Sequence, residues 1–250
     1  MNWTDNHCHL PDDMDLATEV VQNAKDSGVY RLIDVGTSIE HSVKCIARAN
    51  EFDGVWATAG VHPHDAKDGI EGLEQLVTSP KVVAVGECGL DYHYDHSPRD
   101  IQRDVFAKQI QLAHQIDLPL VIHTRDAWED TFDILDTEGT PTKTVFHCFT
   151  GGPAEAQAGL QRGAYLSFSG IITFPNAPEL REAAALTPAD RYLVETDAPY
   201  LTPVPQRGKR NRPSWVTLVG EGVAAARGVG IKEVAEESWS NASRFYGLAE

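Results

Sequence analysis

Short β-branched runs alternate with longer stretches of helical periodicity from one end of the chain to the other. The strand candidates are Trp3–His9, Arg31–Val35, Val55–Val61, Val82–Glu87, Leu118–His123, Thr144–Cys148, Ala164–Ser169 and Tyr192–Asp197. Between them lie helical candidates at Leu16–Ser27, Ser42–Phe52, Pro98–Ile116, Trp128–Glu138, Ala154–Gln161 and Ala177–Ala185. Two more, Trp215–Arg227 and Lys232–Tyr246, follow the last strand. Proline suits the first turn of a helix, so Pro98 predicts a start there with Ser97 as its N-cap. Gly28, Gly139 and Gly163 fall near helix ends, where glycine is favoured.

Strands that alternate with helices throughout imply parallel βαβ units. Eight such units in 250 residues predict an α/β fold of the (β/α)8 TIM-barrel type, a single domain over 1–250. A doubly wound open sheet is the alternative. It would usually carry fewer strands and often a Gly-rich first turn, and none follows Trp3–His9.

Composition narrows the setting. Hydrophobic residues make up 42% and charged residues 23%, ordinary for a globular chain. No apolar run approaches the roughly 18 residues of a membrane helix. The start, MNWTDNHCHL, has neither the basic stretch nor the apolar core of a secretory signal. Cys8, Cys45, Cys88 and Cys148 form no CxxC pair and read as reduced thiols. Together these predict a cytoplasmic protein with no membrane partner. The formal charge of −16 argues against tight non-specific duplex binding, which needs a basic footprint. It does not exclude a nucleic-acid substrate held by local arginines and metal ions.

Candidate chemistry collects at the strand ends. His7 and His9 close the first strand, and His62 and His64 follow the third in Gly60-Val-His-Pro-His64. Glu87 ends the fourth, His123 the fifth, His147 the sixth and Asp197 the eighth. In a barrel every C-terminal strand end opens on one rim, so residues from both ends of the chain converge there. His7, His9, Glu87, His123, His147 and Asp197 are more ligands than one tetrahedral zinc needs. They suit two divalent ions about 3.5–4 Å apart, bridged by a carboxylate, and Glu87 is placed to bridge. The mixed nitrogen and oxygen set accepts Zn²⁺, Mn²⁺ or, less comfortably, Mg²⁺. His62 and His64 read as contacts to a substrate phosphate or to the ligands, with metal ligation as the alternative. Cys8, Cys88 and Cys148 each sit one residue past a ligand and should face away from it. Such a centre suits metal-assisted hydrolysis, with Asp197 accepting the proton of the attacking water. No Gly-x-Ser-x-Gly elbow and no P-loop offers another route.

Several segments resemble a known family in combination. They are Asp5-Asn-His-Cys-His9, Gly60-Val-His-Pro-His64, Gly86-Glu-Cys-Gly-Leu-Asp91, Ile122-His-Thr-Arg125, Phe146-His-Cys-Phe149 and Glu195-Thr-Asp-Ala-Pro-Tyr-Leu201. From about Asp5 to Tyr246 the chain is similar to the TatD-type metal-dependent deoxyribonucleases of the amidohydrolase barrel superfamily. The resemblance implies a barrel with two divalent metals and phosphodiester hydrolysis, as 3′-to-5′ exonuclease action on DNA. It implies the same six metal ligands, with His62 and His64 beside the scissile phosphate. Where that family usually has Asn-Glu-Pro, this chain has Asn211-Arg-Pro213.

That departure leaves Arg207, Lys209, Arg210 and Arg212 as a compact basic cluster in the loop after the eighth strand. It reads as a phosphate clamp or as a solvated loop balancing nearby acids. Arg125, Arg207 and Arg210 are the candidate substrate contacts beside His62 and His64. Tyr92, Tyr94, Phe149 and Tyr200 could stack unpaired bases or simply pack. The expected substrate is a single-stranded DNA end or another phosphodiester, cut by a monomer. A small-molecule amidohydrolase, lactonase or phosphoesterase on the same scaffold is the alternative. A binding protein that keeps its metals for stability is the third reading.

Overall fold

In the computed structural model, which describes residues 1–249, the alternation closes into one eight-stranded sheet in the order β1 to β8. The strands are β1 (Trp3–Cys8), β2 (Val29–Val35), β3 (Val55–Ala59), β4 (Val82–Asp91), β5 (Leu120–Arg125), β6 (Thr144–Phe146), β7 (Tyr165–Phe168) and β8 (Tyr192–Val194). All successive pairs are parallel. The helices are α1 (Met14–Asp26), α2 (Ile39–Glu51), α3 (Leu73–Leu76), α4 (Arg99–Ile116), α5 (Trp128–Glu138), α6 (Pro153–Gln161), α7 (Pro178–Leu186), α8 (Val216–Arg227) and α9 (Ile231–Tyr246). The fold is the TIM barrel that the alternation predicts. No described helix is long and apolar enough to cross a membrane.

Period-2 alternation sorts the strand side chains into two cores. Ile33, Val35, Val121, Val145 and Leu193 pack together with Phe245 and Tyr246 of α9. Their neighbours Leu32, Leu120, Ile122, Phe146 and Leu166 instead meet Phe106, Ile110 and Leu135 of the helical layer.

The seam between β8 and β1 is closed differently from the rest. It holds one isolated bridge, Cys8 with Ala198, because β8 is only three residues long. The closing bonds run beyond β8. Asp197 N–H donates to His7 O at 2.9 Å and His9 N–H to Ala198 O at 2.8 Å. Asn6 Nδ2 donates to Val194 O at 2.8 Å, and Asp5 Oδ1 accepts Thr196 N–H at 2.8 Å.

Two expectations need correction. Ser97 does not cap α4, whose N-cap is Pro98 without a side-chain bond. The Ser97 hydroxyl instead donates to His64 O at 2.8 Å and accepts Lys67 N–H at 3.1 Å, tying the segment after β3 to the start of α4. β4 does not stop at Glu87 but runs on to Asp91, paired with β5 up to Arg125. Gly89 permits this extension. It has φ +133°, and a Cβ there would meet His123 O at 2.0 Å.

Gly89→Ala is therefore expected to cost about 3 kcal/mol or more, from backbone strain and a main-chain overlap that cannot relax alone. Urea unfolding checks this, and a wild-type midpoint would show that β4 and β5 separate without penalty.

Candidate metal centre

The same alternation carries the inner face of the barrel into the centre. His123 lies two residues past Val121 and His147 two past Val145, so both rings continue the inward rows. The chain just past His9 is pinned by Asp34, whose carboxylate accepts Leu10 N–H at 3.0 Å and Arg48 Nε–H at 2.7 Å. Asp197, with φ +53°, leaves strand geometry at the seam. Its side chain there comes within 3.6 Å of His9 Nε2 and 3.8 Å of His7 Nε2.

Glu87 is the hub and is only 4% exposed. Its Oε1 lies 2.8 Å from His147 Nε2, 3.0 Å from His123 Nδ1 and 3.4 Å from His62 Nε2. Its Oε2 lies 3.3 Å from His7 Nε2. Three sets of donor atoms lie within 4.8 Å of one another: His7, His147 and Asp197; His7, His9 and Glu87; His62, Glu87 and His123. All six sequence-derived ligands thus meet in one cluster, and His62 joins them.

The ring nitrogens distinguish these histidines. A metal-binding imidazole commonly donates its other N–H to a fixed acceptor, which frees the lone pair that faces the ion. His9 Nδ1 lies 3.1 Å from Val35 O, and His147 Nδ1 lies 3.2 Å from Glu195 Oε1. His123 Nε2 lies 3.1 Å from Asp91 Oδ2. Each of these three presents its remaining nitrogen to the carboxylates of the cluster. His62 is the reverse. Its Nδ1 accepts the backbone N–H of His64 at 3.1 Å, so the neutral ring carries its proton on Nε2, toward Glu87. Burial pushes His62 down to about 4 against the pull of Glu87, which keeps it neutral at pH 7.

His7 is fully buried and stacks on His147 with ring centroids 3.9 Å apart. Neither of its ring nitrogens makes a hydrogen bond. An orphaned buried imidazole is costly unless something else takes the lone pair. Together with the nitrogen and oxygen donor set, it fits divalent cations such as Zn²⁺ or Mn²⁺.

Electrostatics point the same way. Burial opposes ionisation of Glu87, but the histidines His147, His62 and His7 hold its carboxyl well below the usual range. Burial likewise opposes ionisation of Asp197, and its contact with His9 and the fields of His7 and His147 outweigh it. Burial disfavours charge on His9, His123 and His147 too, yet their carboxylate partners raise all three. At the seam, burial pushes Asp5 up to about 8 against its bonds from Thr196.

The remaining candidates divide by location. His64 turns to Asp91, with Nε2 3.0 Å from Oδ2. Arg125 is exposed, with its guanidinium 4.8 Å from the Tyr94 ring. Arg207, Lys209, Arg210 and Arg212 are exposed. Arg207 lies over Phe174 and donates to Thr202 O, while Arg212 lies over Trp215. Arg210 and Arg212 line a cavity of about 230 Å³ with Pro11, Leu16 and Glu19. Asn211 between them donates to Thr196 O at 2.8 Å, which anchors the loop one residue from Asp197. Phe149 is buried against Trp128, and the Tyr92 hydroxyl donates to Asp130, so both pack. Tyr94 and Tyr200 are 51% and 63% exposed, and the Tyr200 ring centroid is 6.2 Å from that of His9. Cys8 and Cys88 pack in the outer core, and Cys148 Sγ meets Ser169 Oγ at 3.3 Å, outside the donor groups.

Sequence reasoning missed Asp91 and Glu195, the carboxylates that hold His123 and His147. Glu195 Oε1 also accepts Cys148 N–H at 2.8 Å, and its Oε2 accepts Ser167 Oγ–H at 2.5 Å. A signal was present for Glu195 in the expected strand Tyr192–Asp197, where period-2 alternation sets it on the face of Asp197, although β8 itself ends at Val194.

Comparison with known proteins agrees with this geometry. Residues 4–247 match the family model described as TatD related DNase. The uncharacterized metal-dependent hydrolase YabD of Bacillus subtilis is 42% identical, over 98% of each chain. The 3′-5′ ssDNA/RNA exonuclease TatD of Cronobacter sakazakii is 38% identical, over 91% of this chain and 90% of its own. The crystal structure of the TatD homologue YJJV from Escherichia coli superposes with a TM-score of 0.92 and 28% identity, over 99% of this chain and 98% of its own.

The raised histidines give a signed expectation. Carboxylate partners raise the proton affinity of His9, His123 and His147 against their burial, and ligation must displace any proton on the nitrogen that takes the cation. Zn²⁺ or Mn²⁺ binding should release protons, and affinity should fall as pH falls. Calorimetry in buffers of different ionisation enthalpy measures the release; a buffer-independent heat would show neutral ligands.

Proposed function

The chain belongs to the TatD-related DNase family and is a metal-dependent hydrolase, and we propose that it removes nucleotides from the 3′ ends of single-stranded nucleic acid. Two divalent cations, Zn²⁺, Mn²⁺ or Mg²⁺, would be held by His7, His9, Glu87, His123, His147 and Asp197. The observation that carries this reading is the convergence of His7, His123 and His147 on the one carboxylate of Glu87, beside Asp197. Bound divalent cations supply Lewis acidity, which lowers the pKa of water and polarises a phosphoryl oxygen.

The chain's own groups do the rest. Asp197, ionised at neutral pH, accepts the proton of the attacking water. His62, neutral and protonated on Nε2, donates toward a phosphoryl oxygen beside Glu87. Arg207 and Arg210 attract the phosphates of the strand, Arg125 contacts it near Tyr94, and the exposed Tyr94 and Tyr200 stack unpaired bases. A single-stranded end suits this rim better than a duplex, because no element is built to read a groove. The exonuclease name of the Cronobacter relative supports the choice of substrate. All six ligands come from one chain, so a monomer suffices.

Oligonucleotides labelled at either end, incubated with metal-loaded protein, test the reading. Stepwise shortening from the 3′ end is expected; no cleavage with any divalent metal, or activity confined to small esters and lactones, would overturn it. Asp197→Asn should lower kcat by roughly 10²–10⁴-fold, the usual worth of a general base, and near-wild-type turnover would refute that role. His62→Ala should reduce activity while leaving metal content unchanged; equal loss of both would make His62 a ligand. The double variant Arg207→Ala/Arg210→Ala should raise KM a few-fold, about 0.5–1 kcal/mol for exposed charges, and flatten the salt dependence of binding. An unchanged salt slope would exclude the loop from substrate binding.

A further inference from the structure

Asp91 closes β4 and is 1% exposed. Its backbone is clamped by Gln102 of α4, whose Oε1 accepts Asp91 N–H at 2.9 Å and whose Nε2 donates to Asp91 O at 3.2 Å. Oδ1 accepts two backbone N–H groups, from His93 at 3.0 Å and from Tyr94 at 2.9 Å. Oδ2 faces two imidazoles at once, His64 Nε2 at 3.0 Å and His123 Nε2 at 3.1 Å.

An ionised carboxylate oxygen offers lone pairs only, so both rings must bring a proton on Nε2. The neutral His123 ring has one proton for two carboxylates; Glu87 Oε1, 3.0 Å from Nδ1, already faces the N–H of His62 at 3.4 Å, so the proton goes to Asp91 and leaves Nδ1, 3.4 Å from His147 Nε2, empty. His64 is held by the same oxygen, and its backbone N–H donates to His62 Nδ1. One oxygen therefore reaches His123 directly and the His62–His64 pair through a single further step. Two tasks meet there. His123 must offer a lone pair to a cation, and His64 must stay turned away from the donor cluster.

We propose that Asp91 is a positioning residue that fixes the proton of His123 and of His64 on Nε2, keeping His123 Nδ1 open for a divalent cation and joining that ligand to the neighbouring histidine pair. This rests on the metal-centre reading above, but its test needs no substrate.

Asp91→Asn is the informative change. The amide oxygen can keep the two backbone bonds, while the amide NH₂ replaces Oδ2. An NH₂ group donates, so both imidazoles must present a bare Nε2 and move their protons to Nδ1. In His123 that proton blocks the cation. Long-range ¹H–¹⁵N correlation spectra of the histidine rings, taken on metal-free protein at a pH where the rings are neutral, read the tautomers directly. Wild type should show His123 and His64 protonated on Nε2, and Asp91→Asn should show His123 protonated on Nδ1. Zn²⁺ affinity, measured by chelator competition, should fall roughly 10–100-fold in the variant, as for lost outer partners of metal-bound histidines.

Nε2-protonated rings in a folded Asp91→Asn protein, or unchanged Zn²⁺ affinity, would overturn the proposal. If the variant does not fold, the wild-type spectrum decides alone, since a proton on Nδ1 of His123 contradicts it. These readouts stand whether or not the protein degrades nucleic acid, so failure of the nuclease reading would be seen separately.

Discussion

The closure of the barrel between β8 and β1 is the constraint on which the rest depends. Seven of the strand junctions are parallel ladders, but this one has a single bridge. The seam is held instead by bonds beyond the end of β8, from Asp5 to Thr196, His7 to Asp197 and His9 to Ala198. The residues whose backbones close the cylinder carry side chains of the candidate centre. Closing the barrel and bringing Asp197 to His7 and His9 are therefore one event. The same seam anchors the basic loop, through Asn211 on Thr196 O. A weak junction in hydrogen-bond terms becomes the place where chain ends, ligands and loop are registered together.

Burial of charge explains why the centre needs so many imidazoles. An unpaired buried carboxylate costs several kcal/mol, and Glu87 and Asp197 are both largely withdrawn from water. Imidazoles offset that cost in two ways, by carrying protons or by sharing a cation. The carboxylates raise the proton affinity of His9, His123 and His147, which favours the first way. A proton there would supply part of the positive charge that a divalent ion would bring. The chain's net charge of −16 favours cations at this rim and disfavours polyanions. Arg207, Lys209, Arg210 and Arg212 counter that field locally, and their hydrogen bonds and ring contacts go to neutral groups.

The fold and the clustering of the six candidate ligands were legible in the sequence because both follow short-range rules. Strand and helix periods announce βα units, and a two-residue period carries Val121 to His123 and Val145 to His147. What stayed hidden depends on neighbours far away in the chain. Ser97 looks like a cap, but His64 O and Lys67 N–H compete for its hydroxyl and win. Asp91 lies past Glu87, the expected end of the fourth strand. Only the extra length of β4, made possible at Gly89, sets it beside His123 and His64. The basic loop was visible as charge, while its partners Phe174 and Trp215 and the cavity against α1 are tertiary facts. Glu195 was within reach of the alternation rule, since it lies two residues before Asp197.

The histidines of the rim divide by what their second nitrogen meets, and that division turns a crowded cluster into a centre with distinct tasks. Distance alone would count His62 as a ligand, since it falls in a donor group with Glu87 and His123. Its proton position argues otherwise. His9, His147 and His123 each spend an N–H on an outer acceptor, a carbonyl or a carboxylate, and turn a lone pair inward. His62 spends its lone pair on the His64 backbone and turns an N–H inward. A donor beside Glu87 would compete with a cation for the carboxylate's lone pairs, unless a second acceptor arrives to take the N–H. A phosphoryl oxygen is such an acceptor. On the proposed reading, the inward N–H of His62, which here meets only Glu87, would be complementary to an anionic substrate. Asp91, which holds His64 on one side and His123 on the other, keeps the inward lone pair and the inward N–H from exchanging places.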